Sequence, residues 1–388
     1  MRTIRDVAAP LHTLDPDAPD ESDLEALREV VGDARVVCLG ESAHFTSEFA
    51  LLHDRVLRFL VRELGFSAFV LESGLPEGLA VDDWVRGGAG DVAEIARTGI
   101  TWSLGRCSEM HDQLRWMRER NRAASPVRFY GMDVPGWCVN PAPGVAGCLA
   151  RIPARAGDGE LLAIADLGAP GKAPAPDAPG PDTATVPDGL EQRIDELVER
   201  AESAADRLAL RCARGARSVL EFRRGGLYPA PGRNLRNEVM AENLRCILQR
   251  EERIVVAAHN VHLQRTPAFD GTAAIGGLLA AELGEDLVVI GTTRGPGIVP
   301  DVDLDAEPSQ RFATPAGRIT PPPHSLDAIL DTAGLPHHLV DLRRAPAELV
   351  TGVTCMAGEN LLVDLDPRQA FDAVIHVRQI TPARGAAD

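Results

Sequence analysis

Two short runs in this chain carry the residue types that move protons to and from water. They are Gly40-Glu41-Ser42-Ala43-His44 near the start and His259-Asn260-Val261-His262 in the last third. A histidine titrates near neutrality, so it can take a proton from water while a carboxylate holds its other ring nitrogen and steadies the imidazolium. His44 is the candidate base, and Glu41 and Glu72 are its candidate partners, with His259 beside them as a further catalytic group. Phe45, Glu48, Arg55, Asp133 and His262 are the candidate substrate contacts.

Each of these residues has a competing role. Glu48 and Arg55, seven apart on one helix face, would serve as well as a structural ion pair. His44 would suit a helix entry, Asp133 the cap of the next turn, and His259 with His262 one buried and one capping histidine. Glu41, His44, Glu72, His259 and His262 are also the ligand types of zinc or manganese. There is no H-E-x-x-H, however, and Glu41 and His44 fall at a tight turn, so no metal is expected. The run 40–44 nearly matches the G-x-S-x-G nucleophile elbow, but a bulky histidine stands at its fifth position, which disfavours Ser42 as nucleophile.

The positions acquire meaning from the elements around them. Val36–Leu39, Ala68–Leu71, Val127–Met132, Ile254–Ala258 and Leu287–Gly291 read as buried strands, and four of them end directly before the candidate residues. Ligands bind outside the carboxyl ends of strands in an open parallel sheet, so these four strands would deliver their polar residues to one edge. A helix is expected from about Ser47, whose hydroxyl can cap it, and with its flanking strands it makes a unit long enough for a parallel crossover. Further helices are expected around Glu21–Val31, Glu109–Asn121, Gln192–Phe222 and Leu235–Arg250, and short strands at Leu339–Leu342, Leu361–Val363 and Ala373–Val377. The predicted fold is α/β: a mainly parallel sheet with helices on both faces, an inserted helical lobe and short C-terminal strands. Residues 1–138 and 236–388 form its core. Residues 139–235 hold a Pro/Ala-rich linker, with the composition of a mobile segment at Gly168–Pro187, followed by the lobe.

Bulk composition narrows the partners. The 388 residues carry 57 acidic against 40 basic side chains, a net charge of -17, which disfavours nucleic acid and anionic membrane surfaces. Lys172 is the single lysine and stands in a Gly/Pro/Ala-rich stretch, unsuited to a Schiff base or a P-loop. The seven cysteines form no C-x-x-C pair, and no apolar run suggests a signal peptide or membrane span. A cytoplasmic protein with reduced cysteines and no cofactor is expected, acting on a small molecule.

The run Val37-Cys38-Leu39-Gly40-Glu41-Ser42-Ala43-His44-Phe45-Thr46-Ser47-Glu48-Phe49 resembles the glycine-glutamate-x-x-histidine signature of the erythromycin esterase family. So, in order, do Gly65-Phe66 leading to Glu72, Trp116-Met117-Arg118 with Asn121, Phe129 to Asp133, Arg236 with Met240 to Asn243, and His259 to His262. The resemblance implies an α/β core with a helical lobe, a deep cleft and hydrolysis without a required metal. His44 matches the family's essential base, and Glu41, Arg55, Glu72, His259 and His262 match other active-site positions. Some members open the lactone of macrolide antibiotics. Phe45 stands where the family usually has glycine, and Asn237 where it usually has aspartate, which argues against a macrolide as substrate. The reading is therefore a hydrolase of an ester or lactone in a bulky natural product, in antibiotic biosynthesis or resistance. The alternative is elimination, cyclisation or acyl transfer by the same His/Glu site.

Overall fold

Alternate residues of the central strands enter two different cores. Val37 and Leu39, Phe69 and Leu71, Val255 and Ala257, and Val288 and Ile290 pack in one apolar cluster. Their neighbours Val36 and Cys38, Ala68 and Val70, Ile254 and Val256, and Leu287 and Val289 pack in the other. A period of two is what a strand covered on both faces requires. The first cluster includes residues of the helices Glu25–Val31, Ser47–Glu63 and Ser108–Ala123. The second draws on Leu235–Leu248, Ile275–Leu283 and Leu326–Asp331.

The computed structural model describes residues 2–123, 126–167, 186–226, 232–268, 271–301, 314–359 and 361–385. The strands, in chain order, are β1 (Ala9–Pro10), β2 (Val36–Glu41), β3 (Ala68–Gly74), β4 (Arg128–Asp133), β5 (Ile254–His259) and β6 (Leu287–Arg294). Then come β7 (Gly297–Asp301), β8 (Thr314–Ile319), β9 (His337–Asp341), β10 (Cys355–Ala357), β11 (Leu362–Asp364) and β12 (Ala373–Val377). One mixed sheet has the order β1-β9-β12-β6-β2-β5-β3-β4, while β7 with β8 and β10 with β11 form separate pairs. From β12 to β4 neighbouring strands run parallel, and β9 is antiparallel to both β12 and β1.

The order matters more than the strands themselves. β2 and β3 flank one crossover helix in the sequence, yet β5 lies between them. The return strand thereby pairs Glu41 with His259 in parallel register.

Several local expectations shift. Ser47 is the first helical residue rather than the cap: Thr46 precedes the helix, and the Ser47 hydroxyl donates to Glu109 at 2.7 Å. The stretch Gln192–Phe222 is two helices, Leu190–Ser203 and Arg207–Gly225, with Ala205 at φ 54° between them and Asp206 capping the second. Leu75–Val85 and Val92–Gly99 are helices that the apolar spacing did not announce. Helices Ala142–Leu149, Asp158–Ala165, Leu190–Ser203 and Arg207–Gly225 share their own apolar cluster around Val145, Leu161, Ile194, Leu197 and Leu220. Most of the Pro/Gly/Ala-rich segment, residues 168–185, lies outside the described residues. Among those described, no helix is long and apolar enough to cross a membrane, and all seven cysteines are free.

Candidate active site

Gly40 opens the site because nothing larger fits there. A Cβ on Gly40 would stand 1.9 Å from the Asn260 side-chain oxygen. Asn260 lies across that backbone to bond Thr292 twice, donating to its carbonyl at 2.8 Å and accepting from its amide at 3.1 Å. The residue between the two histidines of the second run thus clamps the ends of β5 and β6 over β2.

Beyond Gly40 the chain leaves the sheet, and His44 folds back onto Glu41, with Nδ1 2.5 Å from the carboxylate. Of the two expected partners, Glu41 therefore holds the ring. Burial opposes charge on His44, but Glu41, followed by Glu359 and Glu72, outweighs it and lifts the pKa to about 10. The near-neutral titration expected from sequence gives way to a ring that holds its proton strongly.

His259 has the opposite character. Its Nδ1 accepts from the Val261 amide at 3.3 Å, capping the turn Asn260–Leu263, and its ring centroid lies 5.2 Å from that of His44. Burial and the neighbouring charge on His44 press its pKa down to about 3, so it is neutral, with its proton on Nε2. That nitrogen is buried without a hydrogen-bond partner; the Ser42 carbonyl acts on the ring without completing a bond.

Glu72 binds the second half of the site together. One oxygen accepts from the His259 amide at 2.9 Å, and the other faces Arg236 at 2.7 Å and His262 Nε2 at 3.3 Å. Burial would raise its pKa, but His262 and Arg236 hold it well below the usual carboxylate range. Arg236 also pairs with Asp133 at 2.6 Å, while the Trp102 indole N–H donates to Asp133 at 2.8 Å. The guanidinium lies 4.7 Å from the Trp102 ring centre, and Trp137 stands beside Trp102 at 5.3 Å. His262 completes the network through Nδ1, 2.8 Å from Asn237 Oδ1. Asn237, where the resembled family has aspartate, is thus directly on the site.

The structure brings together Glu41, His44, Glu72, Asp133, His259 and His262, but gives three expected residues other partners. Arg55 is buried against Asp23 at 2.7 Å and the carbonyls of Thr13 and Asp20, where it fastens the N-terminal segment. Glu48 accepts from the amide and hydroxyl of Thr381. The two make no pair with each other, because each meets a partner from a distant segment first. Phe45 is 3% exposed and packs with Cys107 and Ala383. Its φ of 54° is left-handed, a region natural to glycine and costly for an aromatic residue. Ser42 Oγ is buried without a hydrogen-bond partner, so no base is in position to activate it.

Arg236, Trp102 and Glu359 were missed as site residues. Arg236 carried a cue, since it opens the helix Leu235–Leu248 after the cap Asn234 and belongs to the resembling motif. Trp102 and Glu359 carried none, as neither follows a strand of the main sheet. Among the described residues, no group of three or more His, Cys, Asp or Glu is arranged to hold a metal ion. Beneath the site, Glu41, Phe45, His53, Glu72, Cys107 and Gln113 help to line a cavity of about 40 Å³, the scale of a single water.

A mixed α/β sheet whose strand ends assemble a carboxylate-braced histidine, a neutral histidine and a buried Arg–carboxylate network places the chain among enzymes of the esterase and hydrolase kind. It belongs to the erythromycin esterase family, whose model matches residues 61–380. Erythromycin esterase type II of Escherichia coli is 25% identical over 93% of this chain and 94% of its own length. Erythromycin esterase type I of the same organism is 31% identical over 31% of this chain and 29% of its own. A Bacillus cereus protein of known structure superposes with a TM-score of 0.75 at 24% identity, covering 98% of this chain and 97% of that one. A succinoglycan biosynthesis protein gives 0.73 at 20% identity, covering 98% and 96%. An erythromycin esterase mutant in its open conformation gives 0.72 at 21%, covering 97% and 98%.

Proposed function

We propose that the chain hydrolyses a carboxylic ester or lactone of a bulky natural product, with His44 as the base that activates water. The observation that carries this reading is the 2.5 Å contact between Glu41 and His44 Nδ1, which commits the other ring nitrogen to proton transfer. When His44 is neutral, Nε2 takes a proton from water as the water oxygen attacks the carbonyl carbon. Charge then develops on the carbonyl oxygen, and the unpartnered Nε2–H of His259 is a donor suited to receive it. Glu72 positions His259 through its amide and fixes Arg236 and His262 beside it. Trp102 and Trp137 supply an aromatic wall against which a large apolar substrate can lie.

The names of the relatives make a macrocyclic lactone such as erythromycin the first substrate to test. Phe45 turns inward, so the expectation that its ring screens out macrolides loses its geometric basis. Incubation in ¹⁸O-labelled water tests the reaction type. Label in the product carboxylate, lost with His44→Ala, supports hydrolysis; turnover without label would transfer the site to elimination, cyclisation or acyl transfer.

A further inference from the structure

The turn between β10 and β11 brings in a carboxylate that no strand of the main sheet supplies. Glu359 Oε1 accepts from the His44 amide at 3.3 Å and lies 3.9 Å from His44 Nε2, on the side opposite Glu41. Its side chain is 18% exposed. The turn is anchored from within the protein. Buried Arg294 donates to the carbonyls of Gly358 at 2.8 Å and Glu359 at 2.9 Å, and buried Asp327 accepts from the amides of Ala357 at 2.7 Å and Arg294 at 3.1 Å. Surface glutamates are not ordinarily held in place by two buried charged side chains.

A separation of 3.9 Å is too long for a direct hydrogen bond, and is a span that one water at about 2.8 Å from each atom would bridge. The bridging position is also that of a water poised for deprotonation by Nε2. We propose that Glu359 is the second proton carrier of the reaction: it shares the attacking water with His44 and, as the carboxylic acid, protonates the departing alkoxide. The inference rests on the ester or lactone hydrolase reading.

The steps balance without an added reagent. His44 takes one proton from water as the new C–O bond forms. The ester C–O bond then breaks, and the alkoxide leaves with the proton of Glu359. The imidazolium finally returns its proton to the Glu359 carboxylate through the next bridging water. Burial favours the acid form of Glu359, with Glu41 and Glu72 adding to that preference and His44 opposing it. Imidazolium with carboxylate and imidazole with carboxylic acid contain the same number of protons, so the pair interconverts internally and titrates as a unit. The second arrangement is the reactive one.

Two butyrate esters test this. p-Nitrophenolate departs without protonation, whereas ethoxide requires it. Glu359→Gln should slow ethyl butyrate hydrolysis by about 100-fold or more and p-nitrophenyl butyrate by less than about 5-fold. Equal losses on both, or no loss on either, overturn the proposal, since a residue that merely holds the His44 loop does not distinguish leaving groups. NMR titration of His44 is independent of turnover. Glu359→Gln should lower the His44 pKa by about half a unit or more, as loss of a neighbouring negative charge requires, and an unchanged titration also overturns the proposal. If the wild type hydrolyses neither ester and incorporates no label from ¹⁸O water, the hydrolase reading has failed, and an unchanged His44 titration would separately remove the electrostatic coupling between the two residues.

Discussion

Two pairs of histidines stand at the same distance and behave in opposite ways. His44 and His259 have ring centroids 5.2 Å apart at the strand ends, and so have His338 and His376, register partners on β9 and β12. The first pair is flanked by Glu41, Glu359 and Glu72, which raise His44 to about 10. In the second, burial dominates and presses both residues to about 4. Asp331, 3.5 Å from His376 Nε2, is too little to offset it, and both ring nitrogens of His338 are buried without a partner. Close imidazoles alone therefore make no catalytic centre. The carboxylates divide the first pair into a charged and a neutral ring, and that division underlies the separate roles proposed for them.

His44→Ala is the largest test of this contrast. Ester turnover should fall by about two to four orders of magnitude with the fold retained, while His338→Leu leaves the rate unchanged. Comparable rate losses in both variants would erase the distinction between the pairs. Glu41→Gln should come next, with a loss of roughly ten- to a hundredfold through misorientation of the ring. It should also lower the His44 pKa. With p-nitrophenyl butyrate, whose leaving group needs no acid, the base form of His44 grows with pH up to about 10 in the wild type, so the alkaline rise of kcat/KM should saturate at lower pH in Glu41→Gln. A pH profile identical to the wild type would show that Glu41 does not set that proton affinity.

Phe45→Gly separates packing from gating. Relief of the left-handed φ returns about 1 kcal/mol, against a loss of about 3–5 kcal/mol for a buried aromatic side chain. Denaturant melts should show a net destabilisation of roughly 2–4 kcal/mol, with substrate preference unchanged. Altered preference at unchanged stability would put the ring in the site.

The smallest effect concerns pH and stability. His338 and His376 are depressed in the folded state, so between about pH 6.5 and 4 the unfolded chain takes up protons that the folded chain refuses, and stability falls with pH across that window. His44 works in the other direction: its stabilisation is present in full below about 6.5 and is lost as pH rises through about 10. His338→Leu should flatten the acid loss by about 1 kcal/mol or more, because it removes one of the two groups that take up protons only on unfolding. Equal acid sensitivity in wild type and variant would place the loss elsewhere.

What the sequence determined by itself was local. Apolar runs located the sheet strands from β2 onward, because burial on both faces demands continuous apolar residues, and the abrupt change to Glu41, Asp133 and His259 marked strand ends, while β3 runs two residues past Glu72. Helix spacing identified the start of Ser47–Glu63 and the span of Leu235–Leu248 within a residue or two. Which of these groups meet was decided only by the tertiary structure. Insertion of β5 between β2 and β3 sets His259 beside Glu41 and brings Glu72 to the His259 amide. Arg55 turns to Asp23, although its place on the helix allowed either fate, and Glu359 reaches His44 from 315 residues away through a two-stranded turn. A side chain's partner depends on strand order, register and the return of distant loops, and the energies that choose among them come from burying whole faces rather than from any short run of residues.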